Sequence, residues 1–201
     1  MRKFDAFAAI AVLSLTGACD SANRLEPDAE NGTDGQATVK AEDQTPLQSA
    51  ISAGPADVTD NATVIDADGN VVREGTNGWT CIAETPGMGP MCNDETWMAA
   101  LGALQAGKPF PTGDFGVSYM LAGEGDAPGV SNLDPAATEP TADNMWIKDG
   151  PHMMLILPDP SVYEGMSNDV SQPVYVMWKG TPYAHLMVRI ASPEEERLSQ
   201  N

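Results

Sequence analysis

The chain opens on a single apolar run. Ala6 to Leu15 is interrupted only by Ser14, follows Arg2 and Lys3, and gives way to Gly17, Ala18 and Cys19. Ten such residues coiled as a helix reach about 15 Å, half the hydrocarbon thickness of a bilayer, so the run is too short to span one. Its basic start, apolar middle and small-residue end are those of a signal peptide, residues 1–18. No later stretch approaches twenty apolar residues. From Asp20 to Asp60 the chain is mostly Ala, Ser, Thr, Asn, Asp, Glu, Gln, Gly and Pro, with apolar residues such as Val39, Leu47, Ile51 and Val58 too scattered to form a face. Such a segment buries too little apolar area to offset its ordering entropy. Residues 19–60 therefore read as a disordered acidic tether, in preference to a short interaction helix around Thr45 to Ala53. At about forty residues it would reach roughly 35 Å.

Periodic apolar positions begin after residue 60, and residues 61–201 read as one globular domain. Thr63-Val64-Ile65 and Val71-Val72-Arg73 flank Asp66-Ala67-Asp68-Gly69-Asn70, which predicts a hairpin around an Asp-Gly turn. The acids of that turn imitate a calcium loop, but its glycine falls at the fourth position and no glutamate holds the twelfth. Trp79 to Ala83 predicts a strand carrying Cys81. After Cys92, Asn93 or Asp94 caps a helix over 95–106, whose Trp97, Leu101 and Leu104 share one face and which Gly107 stops. Further strands are predicted over 116–122, 145–148, 152–157, 174–178 and 183–190, separated by Pro and Gly clusters. Residues 123–144 hold almost no large apolar side chain and predict a long loop. The strand connections are often too short for parallel crossovers, so the expected class is mainly β (α+β): an antiparallel sheet with one packed helix.

Leu15-Thr16-Gly17-Ala18-Cys19 resembles the lipobox of bacterial lipoproteins. That resemblance implies cleavage before Cys19, lipid on its sulfur and a membrane anchor in the cell envelope; more than one acyl chain makes such attachment stable. In lipoproteins of the enterobacterial type, an aspartate after the lipidated cysteine, as Asp20 is here, implies retention at the inner membrane, facing the periplasm. An exported address leaves Cys81 and Cys92 in an oxidising compartment, where two thiols eleven positions apart are natural disulfide partners. Closing that loop is worth about 3 kcal/mol. Metal thiolates would call for closer cysteine spacing. The net charge of −19 repels nucleic acid and permits cationic partners or plain solubility.

Catalytic signatures are missing: there is no Gly-x-Ser-x-Gly elbow, Cys-x-x-Cys pair, His-Glu-x-x-His helix or phosphate loop. No catalytic residue is therefore assigned. Two features carry candidate chemistry. The histidines occur as His152-Met153-Met154 and His185-Leu186-Met187. Strand alternation puts His152 with Met154 and His185 with Met187, and if the two strands pair, two imidazoles and two thioethers converge on a soft ion such as copper. Against this stands the ordinary use of methionine as a core filler. The loop offers Asp126, Asn132, Asp134, Glu139, Asp143 and Asn144 beside Trp146, oxygen ligands suited to calcium or to a cationic or sugar-like ligand, or simply a solvated loop.

The segments Asn77-Gly78-Trp79-Thr80-Cys81, Pro90-Met91-Cys92, Gly150-Pro151-His152 and Tyr175-Val176-Met177-Trp178, with Gly180-Thr181-Pro182-Tyr183-Ala184-His185-Leu186-Met187, resemble a family of exported bacterial proteins over residues 62–191. The resemblance implies a recurring domain and brings no activity with it. The reading is thus an acidic envelope lipoprotein, monomeric and without a required cofactor, whose domain binds a small ligand or a protein without catalysis. A copper-binding protein and a hydrolase-like enzyme with His152 or His185 as base are the alternatives.

Overall fold

The computed structural model describes residues 44–190 of the chain. The expected signal peptide, Cys19, the expected tether as far as residue 43 and residues 191–201 lie outside the described residues. The predicted hairpin forms: β1 (Thr63–Ile65) pairs antiparallel with β2 (Val71–Arg73). Its turn consumes the acid that looked like a ligand, because Asp66 Oδ1 accepts the backbone N–H groups of Asp68 at 3.0 Å and Asn70 at 2.8 Å. Gly69 supplies the positive φ of 86° that the turn requires.

Strands β3 (Thr80–Ile82), β4 (Met91–Asn93), β5 (Gly116–Met120), β8 (His152–Ile156), β10 (His185–Arg189) and β9 (Val174–Met177) extend the sheet, with the hairpin at its far edge. The spatial order is β2-β1-β3-β4-β5-β8-β10-β9, antiparallel throughout except for the parallel pair β1–β3. Two short strands, β6 (Val130–Ser131) within the long loop and β7 (Trp146–Ile147) just after it, pair separately. The architecture is mainly β with few helices, as the alternation and short connections implied.

Cys81 and Cys92 are cross-strand partners in β3 and β4 and are joined by a disulfide. Helix α3 (Glu95–Gln105) starts at Asp94, whose carboxylate accepts Trp97 N–H at 2.8 Å and also Val117 N–H, from β5, at 2.7 Å. One side chain therefore caps the helix and fixes it to the sheet.

The sequence reading carried the tether to residue 60, and the structure corrects this. Helix α1 (Pro46–Ile51) begins on a Thr45–Gln48 capping box with Pro46 in its first turn, and a one-turn helix α2 (Ala56–Thr59) follows. Ala50, Ala53 and Val58 are buried beside Ala62, Val64 and the disulfide. The short helix around Thr45 to Ala53, set aside in favour of a tether, does form: its contact is made by alanines, small enough for backbone to approach the disulfide, and Val58 adds the contact of α2. Together with α3 these two helices replace the expected single packed helix by several.

The sheet thus buries both faces. One face carries Met91, Met120, Met154, Met177, Met187, Ile156 and Tyr175 against Trp97 of α3 and Phe110. The opposite face packs α1 and α2 at the disulfide end, and at the other end Val176 and Leu186 against Tyr163 of the 3₁₀ helix Pro160–Gly165.

Candidate functional site

Strands β8 and β10 are neighbours, as the copper reading required, and their four candidate side chains share one buried face. Their register differs from the one required. Met154 faces Met187 and His152 faces Arg189, while His185 lies one residue beyond the Leu186–Leu155 pair. The histidines are offset by four residues, about 13 Å of strand, instead of facing each other. Each Nδ1 also bonds the carbonyl two residues upstream: His152 to Gly150 at 2.7 Å and His185 to Tyr183 at 3.0 Å. The strands run oppositely, so those bonds anchor the two imidazoles toward opposite ends of the pair. The register therefore does not set the two histidines opposite each other, the arrangement that one ion shared by His152, Met154, His185 and Met187 was expected to use.

His185 instead lines a cavity of about 160 Å³ between the sheet and α3. The thioethers of Met88, Met91, Met120, Met154 and Met177 wall it, with Trp97, Phe110 and Trp178. Met177 is the direct cross-strand partner of His185. Both indoles meet the imidazole edge to face, with ring centroids 5.2 Å away for Trp97 and 5.1 Å for Trp178. The backbone of Trp178 is left-handed, φ 53°, an uncommon conformation for a bulky residue. It is held there by its N–H donating to Asn132 O at 2.9 Å and its Nε1–H donating to Ser131 O at 2.8 Å. The cost of that conformation goes with the placing of an indole over His185, the association expected of strained residues at a ligand site.

The electrostatics keep this cavity neutral. Burial pushes His185 down to about 4 against its Tyr183 hydrogen bond, so the ring is uncharged and Nδ1 carries the proton that Tyr183 O accepts. Its Nε2 is then a bare lone pair, buried and without a hydrogen-bond partner. Glu124 is the one carboxyl lining the cavity among the described residues, and burial, then the nearby Asp149, pushes it up to about 7.

His152 stands outside the cavity lining. Burial lowers its pKa too, and its Nε2 is likewise unpartnered. Beside it, Asp149 accepts hydrogen bonds from the Tyr175 hydroxyl and from Arg189 Nε, the latter at 3.0 Å. Among the described residues neither histidine Nε2 bonds a hydroxyl or a carboxyl.

The loop oxygens are partly spent locally, while Asn132 Oδ1 is buried without a hydrogen-bond partner. Asn132 Nδ2 donates to Asn168 O, Asn144 takes Thr141 N–H and donates to Glu139 O, and Asp134 Oδ1 accepts Ala136 N–H. Trp146 Nε1 donates to Pro128 O at 2.9 Å. These contacts shape the loop that seats Trp178 and do not converge on a ligand. The sequence signal that would have found the cavity was the excess of methionine itself, eleven residues, read together with the tryptophans.

No family model, curated protein or solved structure matches the chain.

Proposed function

We propose that this protein is an exported lipoprotein, anchored through Cys19, whose domain binds a small ligand in the methionine-walled cavity without transforming it. The observation that supports this most directly is the cavity: about 160 Å³, walled by thioethers and indoles, with a single buried imidazole lone pair. A space near 150 Å³ with apolar walls holds a benzene-sized molecule. A few convergent polar groups on apolar walls are what small-ligand sites share. A non-catalytic role is favoured because both histidines lack a bonded nucleophile.

Benzene is the test probe. With methyl-labelled methionine, saturating benzene should shift the signals of Met91, Met120, Met154 and Met177 and leave Met153 and Met166, which lie outside the cavity lining, in place. Replacing Leu104, a lining residue, by Trp should fill the space and remove the shifts. Uniform or non-saturating shifts in the wild-type protein would end the proposal.

A further inference from the structure

The geometry points to a narrower class of ligand: we infer that the cavity takes a soft monovalent cation of the copper(I) type on His185 Nε2 and the thioethers of Met177 and Met154. This rests on reading the cavity as the binding site and specifies what binds there. His185 is 2% exposed and its Nε2 has no partner, although buried ring nitrogens ordinarily have one. Its other nitrogen is fixed by the Tyr183 carbonyl, the arrangement that holds a metal-ligating imidazole in the right tautomer. No proton has to leave for Nε2 to coordinate.

The sheet then delivers sulfur to that nitrogen. Met177 sits directly across from His185 on β9. Met154, on β8, lies on the diagonal, because its partner Met187 is two residues along from His185 on the same face. Direct and diagonal same-face neighbours have Cβ atoms about 5 and 7–8 Å apart, within reach of side chains as long as methionine. Both methionines line the same cavity as the imidazole. Trp97 and Trp178, edge-on to the ring from α3 and from the turn after β9, fix its plane.

The donor set selects the ion. Thioethers are neutral, soft and unable to donate a hydrogen bond, so a water or a polar organic molecule satisfies the nitrogen but gains little from the sulfurs. A soft cation uses both. Hard divalent ions require six or more oxygens, and the cavity offers the single carboxyl of Glu124. Once it gives up its proton, that carboxyl is the counter-charge for a monovalent ion. The cysteine sulfurs of the described residues, those of Cys81 and Cys92, are held in the disulfide and do not compete as thiolates.

Silver(I) in chloride-free buffer is the probe, since it has the same preferences and does not need a reductant that would open the disulfide. Titrated into the Cys19→Ser chain, which has no free thiol to compete, it should bind one equivalent with Kd of about 1 μM or tighter. It should shift the methyl signals of Met154 and Met177 ahead of those of Met153 and Met166. His185→Phe should weaken binding by about 100-fold or more, and Met177→Leu and Met154→Leu, which keep volume, by about tenfold each. Absence of saturable binding to the wild-type protein, shifts confined to other methionines, or unchanged affinity in His185→Phe would each overturn the inference. The benzene titration separates the two readings. Benzene binding without silver binding removes the metal and leaves the ligand site, whereas failure of both removes the site itself.

Discussion

Asp149 lies under the guanidinium of Arg189, receiving Arg189 Nε at 3.0 Å at a position only 4% exposed. The pair sits at the end of β10, where Arg189 also covers the ring of Tyr175 at 5.2 Å and reaches the carbonyls of Val170 and Gln172. It closes the sheet beside the cavity while leaving the cavity itself apolar.

Asp149→Asn should therefore be costly. Removing one charge of a buried pair leaves the other uncompensated, typically at about 3–5 kcal/mol. Urea unfolding near pH 7 should show that loss, and a double variant, Asp149→Leu with Arg189→Met, should recover much of it. A single variant as stable as wild type would mean the pair is not buried as described.

The disulfide offers a second measurement. It closes a loop of eleven positions between adjacent strands and lies under Ala50 and Gly54. Reduction, or paired replacement of Cys81 and Cys92 by Ala, should lower stability by about 3 kcal/mol and Tm by about 10 °C. Two free thiols in envelope-purified protein would contradict it.

Most strands were legible in the sequence because alternation and turn residues are local: Asp66 to Asn70 and the Asp94 cap are decided within a few positions. Strands β4 and β6 were not, since three and two residues are too few to show an alternation. The register of β8 and β10 was not. His152 and His185 could each be assigned a face, but which residue opposes which is decided by the turns and by packing across the whole sheet. The cavity was illegible for the same reason. Its wall draws on β4, β5, β8, β9, β10, α3 and Trp178, separated by up to ninety-odd positions in the chain, as Met88 and His185 are. Helix α1 could be named around Thr45 to Ala53 but not preferred over a tether, because its buried contact is Ala50, and α2 rests on Val58 alone, so neither shows an apolar face in the sequence.

Membrane attachment is tested apart from the folded domain. Cys19→Ser should abolish incorporation of radiolabelled fatty acid and release the protein from the membrane fraction. Persisting acyl label on the variant would remove the lipoprotein proposal and leave the cavity untouched.

Glu124 makes stability depend on pH in a way that reports on the cavity. It is 9% exposed, takes the N–H of Gly89, and lies beside Asp149, whose carbonyl accepts the Glu124 N–H at 3.1 Å. Gly89 is glycine because a Cβ there would stand 2.4 Å from Gly123 O. Burial and Asp149 raise the carboxyl from 4.5 to about 7, so the folded protein holds a proton that the unfolded chain has released. The stability tied to that proton is complete below pH 4.5 and is lost as pH rises toward 7, by about 3 kcal/mol in all. His185, lowered from 6.5 to about 4, acts in the opposite sense: its contribution is present above pH 6.5 and is lost as pH falls toward 4. The two slopes oppose each other between pH 4.5 and 6.5, and above 6.5 the Glu124 loss stands alone up to about 7. Glu124→Gln keeps the acceptor for Gly89 and removes the titration. The variant should gain on the wild type as pH rises from 5 to 8, by up to about 3 kcal/mol. Urea unfolding at both pH values measures the difference, and an equal pH dependence in the two proteins would show that the carboxyl reaches solvent and does not line a closed site.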